Sequence, residues 1–177
     1  MTNILKDSLL YLYAAALFLS AALLFLVQPM VAKMILPFLG ESSAVWITCL
    51  FFFQSFLLLG YLYAHFASSW LGVRKHRVVH LAIVAVALFF LPITLPVGWL
   101  ARPESNPIYL VLGVLFVSVG FPFFVLSASA PLLQKWFSMT GHADAQDPYF
   151  LYVASNAGSL LGLLAYPFLL EPHLNLT

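Results

Sequence analysis

Apolar residues along this chain do not alternate with polar ones at the spacing of an amphipathic helix or a strand; they run on until a short polar break. A hydrocarbon core of about 30 Å is crossed by roughly 20 apolar residues at 1.5 Å each. Five runs near that length occur, at 9–36, 44–66, 78–95, 108–133 and 149–170. They are separated by Gly40-Glu41-Ser42-Ser43, the basic stretch around Arg74, a Pro-rich loop at 96–107 and a polar segment at 138–148. The pattern predicts an all-α polytopic membrane protein with five transmembrane helices in a single transmembrane domain over 1–177. The first run is far longer than the roughly 7–15-residue core of a signal peptide, so it reads as a retained span.

Composition strengthens the membrane reading and removes other classes. The 177 residues are 63% hydrophobic and only 7% charged, where soluble domains hold about 25% charged residues. A formal net charge of +1 leaves no basic field for nucleic acid or another polyanion. The single cysteine, Cys49, lies in an apolar run and can make neither an intrachain disulfide nor a multi-cysteine metal site. The basic residues set an orientation. Lys6, Arg74, Lys75, Arg77 and Lys135 fall on one side of the predicted spans, against Arg102 and Lys33 on the other. Retention of short basic loops places the first group, and with it the N-terminus, in the cytoplasm.

An internal repeat emerges when the chain is slid against itself by 102 positions. Pro29 then falls on Pro131, Lys33 on Lys135, Gln54 on Asn156 and Gly60 on Gly162, with several leucine pairs that an apolar background produces freely. The weight rests on the Pro-x-x-x-Lys pair, the glycines and the amides. Span one maps on span four and span two on span five. A shift of three spans makes the copies inverted, as in many transporters. Repeat 1 covers about 9–95 and repeat 2 about 108–177. The counterpart of the third helix would lie near 180–197, so the unit reads as an incomplete three-plus-three inverted repeat.

Four polar residues within the spans are the candidate solute ligands: Gln28, Lys33, Gln54 and Asn156. Lys33 lies about 36 Å along the first helix counted from Leu9, near the outer interface, where a lysine also snorkels to water. Pro29 removes a backbone hydrogen bond near Gln28. Gln54 and Asn156 sit well inside their spans, where an amide needs a partner in hydrocarbon. That partner is either another helix or a polar solute. Ala154, Gly158 and Gly162 recur every four residues as a small-residue packing face, echoed by Gly60. Asn156 lies on roughly the opposite side of the same helix. Arg74, Lys75 and Arg77 form a positive anchor suited to lipid phosphate. His76 and His80, one turn apart, with His65 on the same side, make a bis-histidine haem site conceivable. No metal cluster or cofactor motif is otherwise readable, and Asn175-Leu176-Thr177 fits a glycosylation pattern only formally.

The block Phe25-Leu26-Val27-Gln28-Pro29-Met30-Val31-Ala32-Lys33-Met34-Ile35-Leu36-Pro37, with Val45-Trp46, Gln54, Gly60-Tyr61 and Tyr63-Ala64-His65, resembles a bacterial family. That family is described as fused major-facilitator-like and spermidine-synthase-like. Ser129-Ala130-Pro131-Leu132-Leu133-Gln134-Lys135-Trp136 and Asp147-Pro148-Tyr149-Phe150-Leu151-Tyr152 are similar to it too. The resemblance implies a multi-pass inner-membrane module with a major-facilitator-like repeat, accompanied by a Rossmann-like domain resembling aminopropyltransferases. No Gly-rich nucleotide loop or soluble stretch of that kind occurs here, so no catalytic residue is assigned. The expected function is a membrane module that binds or moves a small polar solute. The rivals are a non-transporting anchor or scaffold for an aminopropyltransferase-like domain and a haem-binding redox protein. No Asp or Glu lies within a predicted span, which argues against a polyamine as the solute.

Overall fold

Helix α1 (Thr2–Leu39) stays continuous through Pro29 and Pro37. It stops at Gly40, whose positive φ of 78° is open to glycine and whose N–H bonds Leu36 O at 2.9 Å. The computed structural model describes residues 2–40, 42–100 and 106–173. Helix α2 (Ser43–Ala87) begins at Ser42, whose Oγ accepts from the N–H of Val45 at 3.3 Å. A 3₁₀ turn (Leu88–Phe90), a cis Leu91–Pro92 bond and the short α3 (Val97–Leu100) follow. Asn106 caps α4 (Pro107–Leu115), with Pro107 pre-set for the first turn. A π-helical turn (Phe116–Gly120) joins it to α5 (Phe121–Phe137), and α6 (Tyr149–Ala165) ends in a second π turn (Tyr166–Leu170). Among the described residues every regular element is helical. Arg102 and the 175–177 triplet lie outside the described residues.

Among the described residues four stretches are long and apolar enough to cross a membrane: Ser8–Leu39, Ser43–Gly72, Pro107–Phe137 and Tyr149–Leu170. Their outer faces expose Leu12, Leu19, Phe51, Leu58, Phe116, Leu160 and Phe168, a surface suited to hydrocarbon rather than water. The third expected span, 78–95, differs from its expectation. Helix continues only to Ala87, and the remainder is a 3₁₀ turn and extended chain. Proline at 92 restricts the residue before it and cannot continue a helical hydrogen-bond ladder. The five-helix count therefore reduces to four full-length helices and one shorter helical segment.

Gly72 divides α2, with φ 69° and ψ 156°. The thirteen positions from Tyr63 to His76 would span about 20 Å in one straight helix, yet their rings lie 5.8 Å apart. The chain therefore folds back at Gly72, and 73–87 returns beside the first limb.

Contacts fix the direction of each neighbour. Helices α1 and α6 run parallel: Tyr11 meets Phe150, Gly158 meets Phe18, Gly162 meets Ala22 and Lys33 meets Glu171. The first limb of α2 runs parallel to the α4–α5 rod, with Phe56 at Gly120, Gly60 at Ser127 and Ala64 beside Pro131. Helix α1 crosses α5 antiparallel, from Tyr13 with Phe137 to Ser20, whose Oγ donates to Leu126 O at 3.5 Å. The second limb of α2 also runs antiparallel to α5, from His76 with Trp136 to Phe90 with Phe121. The main core, with Val31, Ile35, Phe53, Val114, Leu115 and Phe123, fills the space among α1, α2 and the α4–α5 rod.

Candidate functional site

At one end of the bundle, α1 brings Gln28 and Lys33 close to the last turns of α6. Lys33 Nζ donates to Glu171 Oε1, and both side chains are about 40% exposed, at 43% and 40%. Gln28 does something different. With Phe25, Pro29, Trp46 and Cys49 it lines a cavity of about 190 Å³, almost wholly apolar apart from its amide. Cys49 is buried and free. The two candidates expected together in one pocket are thus divided between a cavity wall and an ion pair.

Gln54 and Asn156 are both exposed. Helices α2 and α6, which carry them, are not packed extensively on one another, because α1 and α5 lie between. The small-residue face of α6 lies against α1. Gly158 and Gly162 are buried, and a Cβ on Gly162 would lie 2.6 Å from Ala22 O, while one on Gly158 would collide with the Phe18 carbonyl. Ala154 packs beside Leu151 in the cluster under α1. Gly60 is buried against Ser127 and Ala128 of α5.

The other end of the bundle carries the basic residues. Arg74 and Lys75 are exposed just beyond the Gly72 reversal. His76 and His80 turn inward instead, with 0% and 3% exposure. They meet Tyr63 and Trp136 at ring separations of 5.8 to 6.1 Å. His80 Nε2 lies 3.4 Å from Ser129 Oγ, but both ring nitrogens of His76, Tyr63 OH, Trp136 Nε1 and Arg77 Nε have no partner among the described residues. Such a node ties three segments together, at a desolvation cost for each unpaired group. His65 is not part of it. It is exposed and lines a separate cleft with Tyr61, Ser68, Ser69 and Lys135. His76 and His80 stand side by side on one helix, rather than facing across a gap where a porphyrin would fit. Among the described residues no group of three or more His, Cys, Asp or Glu could hold a metal ion.

Sequence reasoning missed Glu171, Ser69, Tyr63 and Trp136. The offset of 102 contained a signal for two of them, since it sets Glu171 opposite Ser69 as it sets Lys33 opposite Lys135. Comparison with protein-family models, with curated proteins and with solved structures finds no match.

Proposed function

We propose that this chain is an integral membrane module built on an inverted repeat, the membrane portion of a transporter-like and spermidine-synthase-like protein. In this reading it binds a small polar solute beside Gln28. The observation that carries the repeat is a pair of contacts. Phe18 touches Gly158, and adding 102 to the first and subtracting 102 from the second gives Gly120 and Phe56, which also touch. Ala22 with Gly162 maps on Phe124 with Gly60, and Gly60 sits one turn further on, at Ser127.

Directions support a fifth crossing. Two parallel neighbours, the first limb of α2 and the α4–α5 rod, need a connection that returns from one end of the bundle to the other. The second limb, the 3₁₀ turn and the extended chain to Pro96 run that course beside α5 and the π turn. Non-helical backbone at membrane depth is tolerable where protein covers it or it lines a cavity. Ile93 and Leu95 pack on the main core there. With the basic end cytoplasmic, the N-terminus lies inside and the bilayer is a bacterial inner membrane.

One observation favours the rival, an anchor for a separate Rossmann-like domain. The repeat-related amides Gln54 and Asn156 face outward, where each would pair with a neighbouring helix rather than share a solute. Solute binding by purified protein, screened by thermal shift across amino acids, sugars and amines, separates the two. Transport-type function predicts stabilisation by one class, lost in Gln28→Leu. Absence of any stabilisation leaves the anchor, and stabilisation that survives Gln28→Leu, Gln54→Ala and Asn156→Ala alike removes these residues as the site. Topology has its own check. In a Cys49→Ser background, cysteines at Lys75 and Gly98 should label from opposite faces of the membrane; labelling from the same face would remove the fifth crossing.

A further inference from the structure

We infer that the cleft between α2 and α5 at the basic end holds the phosphate of an anionic phospholipid headgroup, with Lys135 as its counter-charge. The inference rests on the membrane and repeat readings proposed above, and neither the solute nor the family enters it.

The case begins with two lysines that the repeat makes equivalent. Lys33 ends its Pro-x-x-x-Lys segment in an ion pair with Glu171. Lys135 ends the matching segment, and the position that matches Glu171 is Ser69. Ser69 and Lys135 line the same cleft, so the geometry is repeated and the acid is not. Lys135 is exposed and makes no ion pair among the described residues.

The cleft has room and the right donors. Its volume is about 450 Å³, many times the roughly 30 Å³ share of one water in the liquid. Lys135, His65 and Tyr61 line it, and among the described residues no acidic one does. Ser68 and Ser69 are small, and their hydroxyls donate to the His65 carbonyl at 3.0 and 2.8 Å, so they contribute space rather than charge.

Location selects a lipid over a free anion. Arg74 and Lys75 stand exposed at the same end, adding positive potential at the interface. Leu58, Leu62 and Phe66 are exposed along α2 beside the cleft, an apolar track for an acyl chain. Trp70 is 82% exposed one turn beyond, where an indole suits the headgroup region.

The test uses the full chain, purified in detergent and transferred to nanodiscs, with retained lipid counted by native mass spectrometry. Phosphatidylglycerol should be retained over phosphatidylcholine. Lys135→Gln should weaken that retention about fivefold, the effect of one cation near an anionic surface, whereas Lys33→Gln should not. Ser69→Glu supplies the acid that the other end already has and should abolish the preference in a protein that still elutes as a single species. Equal retention of the two lipids, or a Lys135→Gln or well-folded Ser69→Glu protein that binds like the parent, overturns the proposal. Displacement of phosphatidylglycerol by millimolar inorganic phosphate would overturn the lipid and leave a free-phosphate site.

Discussion

The α1–α6 pair and the α2–α5 pair are both parallel and both seamed by glycine, and they are finished differently. In the first, Gly158 and Gly162 rest directly on the backbone of Phe18 and Ala22, and the far end closes with Lys33 on Glu171. In the second, Gly60 rests chiefly on the Ser127 side chain, Gly120 on the Phe56 ring, and the far end stays open around Lys135. Backbone cannot move out of the way, whereas the Phe56 ring can; Ser127 Oγ is itself held, donating to Phe56 O and Phe124 O, with the Ala128 nitrogen close behind it. The closed pair is therefore a rigid seam, and the open pair has its slack at Gly120 and an unneutralised charge at its far end. Ligand chemistry belongs with the second.

The largest test of that contrast is Gly158→Ala. A methyl group there meets the Phe18 carbonyl and Cα, so α1 and α6 must separate. Overpacking of this kind costs about 3 kcal/mol or more. Gly162→Ala should follow at about 2 kcal/mol, its obstacle being the Ala22 backbone. Thermal melting of the purified variants reads both. If Gly158→Ala melts with the parent, the seam is not close-packed and the contrast fails.

Across the other pair the same substitution should do less. Gly60→Ala meets Ser127 Oγ first, with Ser127 Cβ and the Ala128 backbone nitrogen both at 2.9 Å behind it. About 1–2 kcal/mol is expected, with part of it recovered in Gly60→Ala/Ser127→Ala, because the two side chains compete for one space. Gly120→Ala meets the Phe56 ring at 3.2 Å, and a shift of a few tenths of an ångström relieves it. Its cost should stay below about 1 kcal/mol. A reversed ranking, with Gly120 more sensitive than Gly158, would mean that the flexible seam is α1–α6.

Much of this plan was legible in the chain, for physical reasons. Runs of apolar residues give the long helices directly, and the fifth run, 149–170, coincides with Tyr149–Leu170. Gly60 and Gly162, which the offset of 102 pairs, both lie at helix contacts, though the sequence does not name their partners. Helix ends were less legible. The second helix extends past 66 to Gly72 because Ser68, Ser69 and Trp70 do not interrupt a helix, while Pro92 was a visible stop for the third that hydropathy alone overrode. Side-chain partners were not legible. Nothing local says that Lys33 meets a carboxylate 138 positions later, or that His76 and His80 turn in while Arg74 and Lys75 face out. Gln54 and Asn156 matched as amides, yet a shared residue type does not say which face of a helix is covered.

The smallest expected effect on stability comes from Glu171, and it bears most directly on why the two ends differ. The Lys33–Glu171 pair is exposed enough for water to screen it, so Glu171→Gln should shift the melting temperature least of the set. Its consequence should be chemical instead. Glu171→Ser installs at that end the residue that stands at 69, releasing Lys33 as Lys135 is released. If the absent acid is what opens a lysine to phosphate, the Glu171→Ser protein should retain a second phosphatidylglycerol. That second lipid should bind more weakly than the first, because Leu163 and Pro167 stand at the positions offset by 102 from Tyr61 and His65. Unchanged lipid stoichiometry in Glu171→Ser would assign the difference between the ends to His65 and Tyr61 rather than to the acid.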